Sequence, residues 1–351
     1  MLRRFLQRLL RKPLTWMANY LAASPKKEIV FESLNTLHQS SKKNKNNKIK
    51  VIITDLQKDK FIIFSDQHKG NRSWADDFII CEKNYVAALE YYNHKKFTFI
   101  NLGDSEELWK FKIKDIIPAN TKAFASEAAF QPHRYYKTFG NHDLLWKNRL
   151  DVELNLNKIF KMPLPVYEGI VLRDNTLKLD ILLTHGHQGD MLSDNNSFST
   201  WLVAHIWMPL QRYLRINVNS PSSDFTLRNK HNRMMYEWSS RRKHLILVTG
   251  HTHQPIFASG KYYKHPSNNI PTGNIDKKLV PTYFNTGCCC FNDGDITGIE
   301  IYDGKIRLIK WYNEEVKSDK MILEEITFST LIKDLNERTH EKDLEKNKEN
   351  D

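Results

Sequence analysis

Five short apolar runs along the chain each end in a polar cluster that contains Asp, Asn or His. The runs are Phe61–Phe64, Phe97–Leu102, Tyr135–Phe139, Leu179–Thr184 and Leu245–Thr249. The longer segments between them are mostly of helical character, and this alternation predicts an α/β fold with crossover connections. Ligands of such sheets bind beyond the carboxyl ends of the strands. We therefore expect the five polar clusters to converge on one rim.

The side chains in these clusters are of the kinds that bind transition-metal ions. Carboxylate and amide oxygens combined with imidazole nitrogens suit Mn, Fe, Zn or Co. In Asp-x-His and His-x-His, residues two apart on extended backbone point to the same side. Seven candidates are too many for one ion, so we expect two, about 3.5–4 Å apart, able to hold a hydroxide nucleophile. The candidate ligands are Asp66, His68, Asp104, Asn141, His185, His251 and His253.

Two alternatives stay open among the candidate ligands. His187 competes with His185 for one position, because both flank the same glycine. The three adjacent cysteines, Cys288–Cys290, are also metal-binding types. They lie in an apolar, strand-like run, however, where free cysteine packs as a small hydrophobic residue.

Composition and charge exclude several classes of protein. The chain has 351 residues and is 40% hydrophobic, which is enough for a sizeable core. Its four cysteines fit a reducing compartment, and the absence of a long apolar run argues against a spanning helix. These features exclude a collagen, a disulfide-rich scaffold, a coiled coil and a multi-span membrane protein.

Most of the positive charge lies in the first 50 residues. Twelve Lys or Arg against two acids there account for +10 of the formal net charge of +12. The globular part is therefore close to neutral, and nucleic acid is not an expected partner, although it is not excluded.

The first 24 residues have the pattern of a basic amphipathic helix. Leu2, Phe5 and Leu9 fall at helical spacing, with arginines such as Arg4 and Arg8 between them. Such helices lie on anionic membrane surfaces, so residues 1–24 predict a cytoplasmic protein peripheral to the cytoplasmic face of a membrane. The alternative is a helix that packs on its own domain.

The chain divides by composition into three parts. We expect a basic N-terminal segment and linker at 1–50, a folded domain at 51–332, and a charged tail at 333–351. Residues 190–243 predict a helical cap inserted into the folded domain, because apolar residues there recur at broadly helical spacing.

The ordered motifs resemble the calcineurin-like metallophosphoesterase superfamily. Asp-x-His, Gly-Asp, Gly-Asn-His-Asp, His and Gly-His-x-His follow one another here in the family's order. Asn285-Thr286-Gly287 and strand-like runs at Gly298–Tyr302 and Ile306–Trp311 resemble its closing segments. The resemblance implies a four-layer αββα sandwich and a metal-dependent phosphoric ester hydrolase with two divalent ions, manganese first among them. Its substrate would be an anionic phosphoester.

The resemblance also implies roles for individual residues. One ion would be held by Asp66, His68, Asp104 and His253, and the other by Asp104, Asn141, His185 and His251. His142 would stabilise charge at the scissile ester or protonate the leaving group, and Asp143 would orient His142.

Two features bear on the substrate. Gly103–Trp109 resembles the Gly-Asp-x-x-Glu-x-Trp stretch of UDP-2,3-diacylglucosamine hydrolases. The insertion at 190–243 is apolar and then basic, which suits an amphiphilic, UDP-sugar-lipid-like diphosphate or phosphodiester. Arg215 and Arg233 are candidate diphosphate contacts. His142 departs from those hydrolases, which typically have Arg there, so the substrate stays open.

Two other functions stay open with it. One is a soluble nucleotide phosphodiesterase or nuclease, in which aromatic and arginine side chains of the insertion would stack on bases. The other is a non-catalytic metal-binding scaffold that recruits partners through its N-terminal helix.

Overall fold

The computed structural model describes residues 26–43, 48–189, 225–258, 281–314 and 317–337. The predicted membrane helix at 1–24, Arg215 and most of the predicted cap lie outside these residues. Within the described part, no helix is long and apolar enough to cross a membrane.

The described elements alternate between strands and helices over most of the chain. The helices are α1 (Lys27–Lys43), α2 (Glu82–His94), α3 (Ile113–Ala119), α4 (Thr121–Ala128), α5 (Arg149–Asn155), α6 (Asn157–Phe160) and α7 (Phe225–Ser239), with a 3₁₀ turn at Leu144–Lys147 and a further helical stretch at 328–337. The strands are β1 (Ile49–Ile53), β2 (Phe61–Phe64), β3 (Thr98–Leu102), β4 (Tyr135–Thr138), β5 (Val166–Tyr167), β6 (Gly169–Asp174), β7 (Leu179–Thr184), β8 (Leu245–Thr249), β9 (Tyr283–Asn285), β10 (Ile296–Tyr302), β11 (Lys305–Glu314) and β12 (Lys317–Thr327).

The strands form two sheets. One has five strands in the order β1-β6-β7-β8-β9, and the other has seven in the order β12-β11-β10-β2-β3-β4-β5. Strands β2 to β5 are parallel to one another, as are β7 to β9. The carboxyl ends of these parallel strands form the edge where ligands are expected.

Three hydrophobic clusters separate four layers. Between the sheets, Ile63 and Ile100 of the larger sheet pack with Ile181 and Ile246 of the smaller one. A second cluster lies between the larger sheet and helices such as α2, and a third between the smaller sheet and helices α1 and α7. Strand residues alternate between clusters, since neighbouring side chains point to opposite faces. The predicted four-layer αββα sandwich is confirmed.

The folded unit begins earlier and ends later than the composition indicates. Helix α1 lies in the predicted N-terminal segment, yet its Val30, Leu34 and Leu37 are buried against the smaller sheet. Their spacing forms one apolar face, which the surrounding charges obscure in the sequence. At the other end, Leu335 is buried within the predicted tail. The boundaries at 51 and 332 therefore cut through packed structure.

The strand predictions hold for the central elements, with small shifts at their ends. Phe97 and Phe139 fall outside β3 and β4, and β11 extends beyond both ends of the predicted Ile306–Trp311 run. The Cys288–Cys290 run is a loop rather than a strand. Its Cys289 is fully buried in the core, as the hydrophobic interpretation expects, whereas Cys290 is only partly buried and its Sγ lies within 4.8 Å of ring nitrogens of His68 and His253.

Candidate metal centre

The seven candidate ligands come together at one edge of the sandwich. Each ligand loop follows a strand that ends at this edge, and these five strands are β2, β3, β4, β7 and β8. Asp66, His68, Asp104 and Asn141 follow strands of the larger sheet, whereas His185, His251 and His253 follow strands of the smaller one. The candidate centre therefore spans both sheets.

Asp104 lies between two groups of candidate ligands. Its Oδ2 is 3.1 Å from His185 Nε2 and 3.8 Å from His68 Nε2. On the His68 side, His253 Nε2 is 3.2 Å from both Asp66 Oδ1 and His68 Nε2. On the other side, donor atoms of Asp104, His185 and His251 lie within 4.8 Å of one another. Six of the seven implied ligands therefore lie in the two groups that the family resemblance implies, and the Asp104 carboxylate faces both groups.

Five of the candidate ligands adopt left-handed backbone conformations. The φ angles are +54° at Asp66, +50° at His68, +50° at Asp104, +68° at His251 and +54° at His253. Each costs of order 1 kcal/mol for a residue with a Cβ, and such conformations cluster at functional sites. The Asp-x-His and His-x-His pairs are thus tight loops, not the extended backbone expected from their spacing.

Two glycines allow the ligand loops to approach each other. A Cβ at Gly140 would collide with the Asp104 carboxylate, and one at Gly250 would collide with Ser65 and Asp66. Glycine is required at both positions because the neighbouring loop comes so close. The backbone conformation does not require it, since neither residue has a positive φ. This explains the glycine beside the ligand in Gly-Asn-His and Gly-His-x-His.

Three buried polar atoms in the centre make no well-aligned hydrogen bond within the described part of the chain, although two of them lie 3.1–3.2 Å from an oppositely charged side chain. They are Asp66 Oδ1, Asn141 Oδ1 and His185 Nε2. Leaving such atoms unsatisfied costs about 1–3 kcal/mol each, so a partner is expected. Ligand atoms around one ion at about 2.1 Å lie about 3 Å apart, close to the separations seen here. The residues present therefore fit divalent metal ions.

The outward nitrogens of three candidate histidines already have neighbours. His68 Nδ1 is 3.0 Å from Glu107 Oε2, and His185 Nδ1 is 3.0 Å from the carbonyl oxygen of Leu102. His253 Nδ1 is 3.7 Å from Cys290 Sγ. These contacts leave Nε2 of each ring facing the centre, as is usual for metal-binding histidines.

The electrostatics of the centre suit cations. Burial alone would raise the pKa of Asp104, but the His185 and His142 side chains hold it well below its ordinary value. Burial lowers the pKa of His185, yet the Asp104 and Asp66 carboxylates outweigh it and raise that pKa to about 9. Both carboxylates are therefore anionic and attract positive charge.

The family assignment comes from sequence comparison. The profile of the calcineurin-like phosphoesterase family matches residues 59–255, which is more than half of the chain. The chain belongs to the calcineurin-like phosphoesterase family. It is a metal-dependent phosphoesterase, and the family binds two divalent ions. Among proteins with curated descriptions, none matches the chain.

Several solved structures resemble this phosphoesterase at low identity. A dimetal phosphatase from Danio rerio is 9% identical, with 76% of this chain and 99% of that chain covered and a TM-score of 0.39. Vacuolar protein sorting 29 from Cryptosporidium parvum is 13% identical, with 77% and 98% covered and a TM-score of 0.32. Zinc-bound Vps29 from Entamoeba histolytica is 13% identical, with 77% and 99% covered and a TM-score of 0.31. At these scores the similarities add nothing to the assignment.

The geometry favours His185 over His187 as the ligand of this phosphoesterase. His185 Nε2 faces Asp104 Oδ2, whereas the His187 ring lies 5.4 Å from the His185 ring and 6.0 Å from that of Phe139. His187 is buried beside the centre and packs against the ligand that it competes with.

The expected partner of His142 is corrected by the structure. Asp143 accepts backbone N–H bonds from Gly140, Asp104 and Ser105 and makes no hydrogen bond with His142. It therefore fixes the two ligand loops, and burial raises its pKa to about 6. Asp143 cannot orient the His142 ring, because its two oxygens face those backbone groups.

Glu107 orients His142 instead. Its Oε1 and Oε2 lie 2.9 and 3.0 Å from His142 Nδ1, and Oε2 also contacts His68 Nδ1. Trp109 stacks on the His142 ring with centroids 3.9 Å apart, and its Nε1 donates to the carbonyl oxygen of Asn141. The Glu and Trp of the Gly103–Trp109 stretch thus hold one side of the site, a role that their spacing in the sequence did not reveal.

Arg233 is not brought to the centre. Its side chain is 80% exposed and lies 3.5 Å from Glu237 on the same helix, α7. The neighbouring His231 and Asn232 are buried towards the ligand loops. The helix therefore presents Arg233 to solvent, and its assignment as a diphosphate contact gains no support from this placement.

A buried network of ion pairs packs next to the ligand loops. Lys69 Nζ bonds to Glu127 and lies 3.3 Å from Glu106 Oε1, while Lys137 Nζ lies 3.0 Å from Glu106 Oε2. All four side chains are essentially inaccessible to solvent. Lys69 directly follows His68, so the network anchors the first ligand loop.

We expect Glu107→Gln to lower kcat about 10- to 100-fold, the usual effect of losing a carboxylate behind a metal ligand. Gln offers one acceptor oxygen where Glu107 serves two imidazoles, and it cannot stabilise a charged ring. Steady-state turnover of an aryl phosphodiester by manganese-loaded protein measures the effect. The matched control is Glu153→Gln on the exposed face of α5, and activity of E107Q within twofold of that control would contradict the role.

Proposed function

We propose that this phosphoesterase hydrolyses a phosphodiester or diphosphate bond in an amphiphilic substrate, with manganese as its preferred metal. The observation that carries the proposal is the convergence of three unsatisfied buried ligand atoms around a carboxylate, Asp104, that faces both ligand groups. The mixed oxygen and nitrogen donors suit Mn²⁺, Fe²⁺ or Zn²⁺. One ion would be held by Asp66, His68, Asp104 and His253, and the other by Asp104, Asn141, His185 and His251.

The metal ions supply positive charge to the phosphoryl oxygens and activate water when they are bound. The protein contributes preorganised groups around them. A loose phosphoryl transition state needs charge neutralisation and positioning more than covalent chemistry. The fixed loops around Asp104 and Asn141 meet that need.

His142 is the proposed proton donor to the leaving oxygen. Its Nδ1 is held by Glu107, so Nε2 is the ring atom left to meet the ester. The Glu107 carboxylate holds the ring through Nδ1, and the stacked Trp109 fixes its plane. At 13% exposure, the His142 side chain remains accessible to a substrate.

Exposed apolar side chains support an amphiphilic substrate. Trp74 is 75% exposed on the loop that follows Asp66 and His68, and Leu145 is 40% exposed just after His142 and Asp143. Leu150 and Leu154, one turn apart on α5, are 59% and 57% exposed. Exposed apolar side chains favour an acyl or sugar-lipid portion of the substrate over a wholly hydrophilic one.

A substrate panel tests the proposal. Manganese-loaded full-length protein is compared on a UDP-linked diacyl sugar, an oligonucleotide and an aryl phosphodiester. We expect the highest kcat/KM on the lipid-linked diphosphate, and a further increase when that substrate is presented in anionic vesicles. Deletion of residues 1–24 should remove the vesicle effect alone, because the basic segment is proposed to bind the surface.

Other outcomes have definite meanings. Preferred turnover of the oligonucleotide would overturn the amphiphilic substrate and favour the nuclease. No turnover of any member by protein with two bound ions would overturn the hydrolase mechanism itself.

A further inference from the structure

His251 has a buried imidazole as its neighbour on the side of helix α7. The ring of His231 lies edge-on to that of His251, with centroids 5.2 Å apart. For His68, His185 and His253, the structure shows an outward partner for Nδ1, as described above. Among the described residues, no such partner is seen for a ring nitrogen of His251, and the buried ring of His231 packs against it.

The hydrogen bond made by His231 fixes its tautomer. Its Nε2 is 2.6 Å from the carbonyl oxygen of Gly186. A carbonyl only accepts, so Nε2 carries the hydrogen and Nδ1 of the neutral ring is left as an acceptor. His231 is 2% exposed, and its Nδ1 has no hydrogen-bond partner in the described ranges. A buried acceptor with a free lone pair, beside a histidine with a ring N–H to donate, is suited to receive it.

The next residue ties the same helix to the loop of His251. Asn232 is fully buried, and its Oδ1 accepts hydrogen bonds from Thr252 Oγ1 at 3.0 Å and from the Tyr283 hydroxyl at 2.9 Å. Its Nδ2 donates to Gln254 Oε1 at 3.3 Å. Thr252 lies between His251 and His253, and Gly186 directly follows His185. Helix α7 is therefore bonded to both histidine loops of the smaller sheet.

We propose that His231 and Asn232 are positioning residues for the metal centre. His231 Nδ1 accepts the outward ring N–H of His251 when the other nitrogen of His251 binds metal, and Asn232 holds the loop that carries His251 and His253. The proposal rests on the proposed function only in assigning His251 as a ligand. It gives helix α7 a role in metal affinity that neither residue's sequence context indicates.

Cobalt titration of the metal-free, full-length protein tests the proposal without an activity measurement. Binding is followed by Co²⁺ absorption and by metal content. We expect His231→Phe to weaken one of the two cobalt equivalents 10- to 100-fold, as loss of a ligand's outer partner usually does. The other equivalent should stay within threefold of native. His231→Gln, which can still donate and accept, should recover most of the loss.

Two further variants test whether His231 affects metal affinity through His251. His251→Ala should abolish the same cobalt equivalent that H231F weakens, and the double variant should bind no worse than H251A alone, since the two act through one interaction. The control is Lys230→Gln, an exposed neighbour on α7 that should bind as native.

The outcomes separate this proposal from the proposed function. The proposed role of His231 would be overturned if H231F bound both cobalt equivalents with native affinity, or if it bound both equally weakly. If H231F does not fold, His231→Leu, which also lacks a hydrogen-bonding group, takes its place and decides by the same criterion. Native protein that binds two cobalt ions but hydrolyses no phosphoester would overturn the proposed function and leave the role of His231 intact.

Discussion

Replacing Asp104 with Asn is expected to lower kcat by about a thousandfold. Asn keeps the shape and the oxygen that accepts the backbone N–H of His142, but it removes the charge that faces both ligand groups. Metal ions supply several kcal/mol of transition-state stabilisation, and each 1.36 kcal/mol is about tenfold in rate. Metal content should fall below two ions per chain at the same time.

The measurement pairs turnover of an aryl phosphodiester with elemental analysis of the same sample. Asp55→Asn, in a surface turn where Asp55 pairs with Lys58, is the matched control and should behave as native. Full activity of D104N with two bound ions would remove Asp104 from the centre and with it the assignment of the ligand sets.

Glu106→Gln is expected to lower the free energy of unfolding by about 3–5 kcal/mol, the usual cost of breaking a buried ion pair. It leaves Lys137 facing a neutral amide in a site closed to water, while Lys69 keeps only Glu127 as an anionic partner. Chemical denaturation of the metal-free protein at neutral pH measures the change. Glu90→Gln, exposed on α2, is the control and should stay within about 0.5 kcal/mol of native.

The same variant should change the acid stability. Burial alone would raise the pKa of Glu106, but Lys137 and Lys69 outweigh it and lower the pKa to about 2. This contribution to stability is present above pH 4.5, the ordinary value for Glu, and is lost as pH falls towards 2. Between pH 4.5 and pH 2, the free energy of unfolding of E106Q should therefore fall less than that of the native protein. A destabilisation below about 1 kcal/mol at neutral pH would show that the network is dispensable.

The central strands and the grouping of their polar ends could be predicted from the sequence, because both rest on local patterns. An apolar run such as Leu179–Thr184 is buried on both faces, and the residue after it must lie at the carboxyl edge. Helix α1 was harder to predict, since Val30, Leu34 and Leu37 are sparse among charged neighbours. Its packing depends on a sheet surface formed by distant residues.

The partner of His142 could not be predicted for a different reason. Asp143 is adjacent in sequence, but its oxygens are used by three backbone N–H groups of the turning loops. Glu107 reaches the ring only because the chain turns sharply at Asp104, where φ is positive. Loop conformation of this kind is set by tertiary contacts and leaves little signal in one sequence.

The division of the candidate ligands between two sheets has a mechanical consequence. Asp66 and Asp104 move with the larger sheet, whereas His185 and His251 move with the smaller one. Ions bound by both sets would cross-link the two sheets and would resist any sliding of one sheet over the other. Loading with metal would then stiffen the whole fold and not only the loops that hold it.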